Sequence, residues 1–153
     1  MTLSIKNSIG IDLWDTSHIA YRSSAEVKLL SAAEVSSINV SQAARLKANQ
    51  LAALEVNQLA TDAFAAISTS AIKGLNSDQL QDLTGSLVGA FTAEQISQLN
   101  SAQISKLKNS EIDELSQFAI ASISVAVVVQ LKAVLLSNKR DTNMNIAVVL
   151  LAQ

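Results

Sequence analysis

Apolar residues recur along this chain at a fixed interval of eight. Stepping by eight from Leu3 gives Ile11, Ile19, Val27, Val35, Ala43, Leu51, Leu59, Ile67, Leu75, Leu83, Phe91, Leu99, Leu107, Leu115, Ile123 and Leu131, every one apolar. Where about half of the residues are apolar, a run of seventeen such positions has chance odds on the order of one in 100,000. A second column lies three residues upstream of the first. It reads Ala32, Val40, Ala48, Val56, Phe64, Ile72, Leu80, Val88, Ile96, Ile104, Ile112, Ile120, Val128 and Leu136. Before Ala32 it is occupied by Ser24, Thr16 and Ser8, so the repeat is expected over residues 32–131.

A period of eight restricts the backbone. In one continuous α-helix, each octad turns the apolar stripe roughly 80° past two full turns, so no single face stays inside. A strand fails as well, because two columns three residues apart point to opposite faces. What fits is a very short helix and a turn in every octad. Thr92-Ala93-Glu94-Gln95 has the form of a capping box, and Asn76 to Gln79 and Asn100 to Gln103 are variants with an Asn cap. A helix start every eight residues implies a helix every eight residues. The expected fold is therefore all-α, a solenoid of short capped helices. The alternative is an antiparallel bundle of longer helices bent near Gly74, Gly85 and Gly89.

The ends differ from the middle. Residues 1–31 hold the only Trp, Tyr and His and read as an N-terminal cap; residues 32–131 form the repeat body, and 132–153 a C-terminal tail or cap. Val125 to Val129 has strand propensity, so short strands at the termini enter the expectation. Ile146 to Leu151 is apolar almost throughout.

Composition removes several classes of function. Aromatics make up 3% of the chain and there is no proline, so the core must be aliphatic and the backbone ladder has no obligatory break. Net charge is −2 without a basic block, which argues against nucleic acid. Absent cysteine removes disulfides and thiolate chemistry. Met1 to Asn7 lacks the form of a secretory signal peptide, and the compartment stays open between a surface or extracellular setting and the cytoplasm.

Candidate chemistry is sparse. Asp12, Asp15 and His18 could be imagined on a metal, but they lack a recognised ligand spacing, and a helix cap followed by a first-turn His explains them better. Asp113 and Glu114, near Glu111, read as a solvated face rather than an acid–base pair. No Gly-x-Ser-x-Gly elbow and no phosphate loop occurs. Neither a cofactor nor enzymatic activity is expected. Phe118 to Val129 is uncharged but short of the roughly 20 residues a membrane span needs, so a buried final repeat is expected, with membrane contact the lesser reading. The candidate self-association surface is Val127, Val129, Ile146, Val148, Val149, Leu150 and Leu151, because an uncovered apolar tail or edge invites a partner.

Phe91 to Leu107, with its Thr-x-x-Gln-Ile-x-x-Leu units, resembles the Leu-Thr-x-x-Gln-Ile-x-x-Leu octads of large bacterial adhesin-like surface proteins. The resemblance covers about residues 72–115 well and 32–71 loosely. It implies a bacterial source and an exposed or exported setting, and it carries no catalytic residue. The expected function is that of a non-enzymatic structural repeat protein that assembles with copies of itself. A protein- or peptide-binding module is the alternative, and a membrane-associated protein using the apolar C-terminus a further one.

Overall fold

The computed structural model describes residues 16–108, 112 and 114–123. Among them are twelve short α-helices, one 3-10 turn and no strand. The helices are α1 (Thr16–Tyr21), α2 (Ser24–Val27), α3 (Ala32–Ser36), α4 (Val40–Ala43), α5 (Ala48–Leu51), α6 (Thr61–Ala65), α7 (Thr69–Ile72), α8 (Ser77–Asp82), α9 (Gly85–Gly89), α10 (Ala93–Ile96), α11 (Ser101–Ile104) and α12 (Gln117–Ala121). The 3-10 turn η1 (Val56–Gln58) stands between α5 and α6. No described helix exceeds six residues. The strand expected at Val125 to Val129 lies outside the described residues. The chain divides into two compact halves, Met1–Gly74 and Leu75–Gln153.

One octad, written a to h, explains the local structure. Position a is an N-cap in extended conformation, as at Thr92 (φ −78°, ψ 159°) and Asn100 (φ −84°, ψ 169°). Its side chain accepts from the backbone N–H of position d. The side chain at d reaches back to the N–H of a, as Gln95 does to Thr92 and Gln103 to Asn100, both at 3.0 Å. Position e then enters the core, and its carbonyl accepts from the N–H of h, as Ile96 does from Leu99. Position h is also buried, and the next residue is the next cap. A four-residue helix does not persist alone in water, so each octad stands only against its neighbours.

Those neighbours follow a rule of three. In the N-terminal half α1 packs on α4, α2 on α5, α3 on η1, α4 on α6 and α5 on α7. In the C-terminal half α8 packs on α11 and α10 on α12. Equivalent core residues such as Val27 and Leu51, Leu80 and Ile104, or Ile96 and Ile120 are 24 positions apart, three octads.

The repeat changes phase once. Lys47 caps α5 and Ala60 caps α6, 13 positions later, so residues 55–59 form a pentad in place of an octad. The pentad keeps a to e, with Val56 and Leu59 buried, and lacks f, g and h. Neighbours still meet three repeats apart, but Ala43 to Phe64 and Leu51 to Ile72 are now 21 positions apart.

This slip corrects the expected pattern. Upstream of the pentad the second column does not point inward: Ala32 is exposed, Val40 is 45% exposed and Ala48 is half-buried. Ile38, Leu46 and Leu54, three residues after the first column, are buried instead. Octads with capping boxes also occur before residue 32, at Ser23 with Glu26 and, spanning that boundary, at Ser31 with Glu34.

Candidate functional site

The described surface is organised by what each octad position faces. Position d links successive layers. Gln50 accepts from the Lys47 N–H with its side-chain oxygen at 2.8 Å, while its Nε2 donates to the carbonyls of Arg22 and Ile19, each at 2.7 Å. Gln103 repeats the arrangement, donating to the Leu75 carbonyl at 2.8 Å. In both cases an acceptor lies 28 positions earlier. Gln42, Gln50 and Gln95 are the buried polar side chains among the described residues, and a glutamine serves where one atom must accept and another donate.

Position g faces the third repeat before it. Gly74, at g, leaves no room for a Cβ, which would run into the backbone carbonyl of Ala48, at b of α5. Glu114, at g, lies against Gly85 and Gly89 at b and f of α9. Bulk at one position is matched by its absence at the other. Leu29 is at g of the octad that Ser23 opens, and Tyr21 stands eight residues before it. No described repeat stands three before either of them, and they are 58% and 83% exposed. This rim carries the two most exposed large hydrophobic side chains among the described residues.

The pentad creates a second feature. An open groove of about 440 Å³ is walled by residues 36–41 on one side and by Ala60 and Asp62 on the other. Ser36, Ser37 and Ile38 occupy f, g and h of the α3 octad, and α3 packs on η1, whose f, g and h are missing. The groove borders the point where the pentad passes from Leu59 directly to the cap Ala60. Ser36 and Ser37 both donate their hydroxyl protons to the Ala33 carbonyl, at 2.8 and 2.9 Å, so their oxygens are left as acceptors. Asp62 accepts from the Ala63 N–H at 2.8 Å and makes no ion pair among the described residues.

Of the residues singled out by sequence, His18 lies exposed on α1, while Asp12 and Asp15 lie outside the described residues. Glu114 is exposed, and Glu111 and Asp113 lie outside them. So do Val127, Val129, Ile146, Val148, Val149, Leu150 and Leu151. Among the described residues there is no group of three His, Cys, Asp or Glu placed for a metal, and no helix long and apolar enough to cross a membrane. Neither the rim nor the groove was singled out by sequence; the signal that could have found the groove is the 13-residue interval between the caps of α5 and α6. The chain matches no known protein family, no curated protein and no solved structure.

Proposed function

We propose that this chain is a non-enzymatic structural repeat protein in which three short helices make one turn of an α-solenoid, and that it assembles with copies of itself through exposed layer edges. The observation that carries the reading is the rule of three among the described helices, to which Gln50 and Gln103 add bonds to carbonyls 28 positions earlier. Within each half, helices repeated in this way suit a scaffold, and the described residues bring no acid, base and nucleophile together.

Self-association is supported by the rim. Position g is trimmed to glycine at Gly74, and the Glu114 side chain at g meets glycines at Gly85 and Gly89, whereas Tyr21 and Leu29 keep large apolar groups there in the open. Exposed apolar area gains most when a second surface removes it from water, at about 25 cal/mol per Å². A head-to-tail contact between unlike edges produces rings or filaments. The apolar stretch at residues 146–151 is the other proposed contact.

Multi-angle light scattering across a concentration series tests the proposal on the full chain, on Tyr21→Ser/Leu29→Ser, and on a chain ending at residue 136. The full chain is expected to gain mass with concentration, and at least one variant to stay monomeric. A monomer at every concentration for all three sinks the self-assembly reading. The peptide-binding reading is favoured by one observation, the groove beside the pentad.

A further inference from the structure

We propose that the groove beside the pentad receives a short segment of a partner protein, one that carries a lysine or arginine next to an aliphatic residue. The argument begins with what is missing. Every other described octad of the N-terminal half runs on through f, g and h, but residues 55–59 stop at e and the chain passes directly from Leu59 to the cap Ala60. Ser36 to Ile38, at f, g and h of the α3 octad, line the groove, and η1, on which α3 packs, has no f, g and h of its own. The core beneath is already sealed, since Ile38 and Leu59 are both buried. A guest need not complete the hydrophobic interior; it needs only to lie across the surface.

Chemistry selects the guest. The hydroxyl protons of Ser36 and Ser37 are committed to the Ala33 carbonyl, which leaves acceptor oxygens toward the groove. Asp62 adds a carboxylate on the opposite wall. These serine oxygens and the Asp62 carboxylate accept, and so favour donors, namely peptide N–H groups and a cationic side chain. Val40, 45% exposed on the wall of residues 36–41, gives an aliphatic neighbour its contact. One of the protein's own octads carries such a sequence at these positions and supplies a probe: Ser105-Lys106-Leu107 occupies f, g and h after α11, with Lys106 at g.

The test titrates the ¹⁵N-labelled full chain with an octapeptide of the sequence of residues 100–107, Asn-Ser-Ala-Gln-Ile-Ser-Lys-Leu. Parallel arms use the same peptide with Lys replaced by Gln, and lysine amide alone. The expected result is a set of amide shifts confined to residues 36–41 and 60–62, several-fold weaker binding of the Gln peptide, and none of comparable strength for lysine amide. Asp62→Asn, which keeps the acceptor for the Ala63 N–H, is expected to weaken the Lys peptide about two- to fivefold, the range of an exposed ion pair. Inserting Ser-Lys-Leu between Leu59 and Ala60 restores a full octad and is expected to abolish binding by filling the groove from within. No localised shift at millimolar peptide overturns the proposal. So does equal binding to wild type and Asp62→Asn, or lysine amide acting as strongly as the peptide. If the insertion disturbs the fold, seen as lost helical circular dichroism, the Asp62→Asn comparison decides alone.

Discussion

The side-chain amide of Gln50 donates to the carbonyl oxygen of Arg22, 28 positions earlier, over 2.7 Å. The same amide group satisfies Ile19, and the oxygen at its other end holds the N–H of Lys47. One buried side chain thus closes its own helix and fastens it to the preceding layer. Glutamate can do the first task but, once ionised, has no proton for the second. Glu26 and Glu34 hold the same position in the octads of α2 and α3, where each carboxylate completes a capping box. Gln50→Glu should cost at least about 2 kcal/mol at pH 7, because a carboxylate would face two carbonyl oxygens in a buried place. Burial and those oxygens raise the pKa of such a group, so the deficit should shrink as pH falls toward its ordinary range. Urea denaturation of wild type and variant at pH 7 and pH 4.5 measures both effects. A variant within 0.5 kcal/mol (roughly the scatter of surface changes) at pH 7 contradicts the assigned role.

Glycines in the two halves should respond in opposite ways. A methyl group on Gly74 would come within 2.8 Å of the Ala48 Cα and closer still to its carbonyl, all main-chain atoms that cannot swing away. No described glycine has positive φ, so close approach, and not backbone conformation, is the reason for this one. Gly74→Ala should lose about 1–3 kcal/mol or more through overpacking. At Gly85, in the first turn of α9, the nearest atom is the Cγ of Glu114 at 3.3 Å, on an exposed and flexible side chain. Alanine is the better helix former by about 1 kcal/mol, so Gly85→Ala should be neutral or stabilising. Melting temperatures of the pair decide it, and a shared direction of change would refute the packing account.

The capped short helices were legible in the sequence because a capping box is local chemistry, four residues long, and Thr92 to Gln95 or Asn100 to Gln103 needs no tertiary knowledge. The pentad was not legible from apolar columns. Its deletion removes three residues, the same number that separates the two core positions of an octad. Column one therefore stays apolar on both sides of the slip while its meaning changes: Val35 and Leu51 are at e, whereas Ile67 and Leu75 are at h. Ala32 and Val40 then looked inward only because alanine and valine count as apolar. The groove and the rim could not be read at all, since each depends on which repeats meet in space, and that follows from the number of repeats per layer.

The phase of the N-terminal half can be tested directly. Val40 extends the apparent column but is 45% exposed, and Leu46 stands outside both columns but is 3% exposed. Val40→Ser should change stability by less than about 0.5 kcal/mol, and Leu46→Ala should cost about 2–5 kcal/mol. Denaturation midpoints in urea, with unchanged slopes, report the two values. If Val40→Ser proves the more costly, the slip is misplaced and the groove assigned to it loses its origin.

Acid should act on α2 more than on α10, because the same cap is built from different acceptors. The Glu26 carboxylate accepts from the Ser23 N–H at 2.8 Å, from the Ser23 hydroxyl at 3.0 Å and from the Arg22 guanidinium at 3.0 Å. These contacts, the Ser23 backbone bond foremost, hold its pKa below the ordinary glutamate range. A carboxyl group depressed in the folded chain adds stability above its unfolded pKa of about 4.3 and loses it as pH falls through the folded value. Glu26 is exposed, so solvent screens the effect to a few tenths of a kcal/mol, enough to loosen one short helix without unfolding its half. In α10 the same position is Gln95, which does not titrate. Amide exchange between pH 6 and pH 3, corrected for the intrinsic pH dependence of exchange, should therefore show lost protection at Val27 and Lys28 but not at Ile96 and Ser97. Glu26→Gln keeps an acceptor for the Ser23 N–H and should remove the acid response of α2. An equal response of both helices, or one that persists in Glu26→Gln, would mean that acid reaches α2 through some other group.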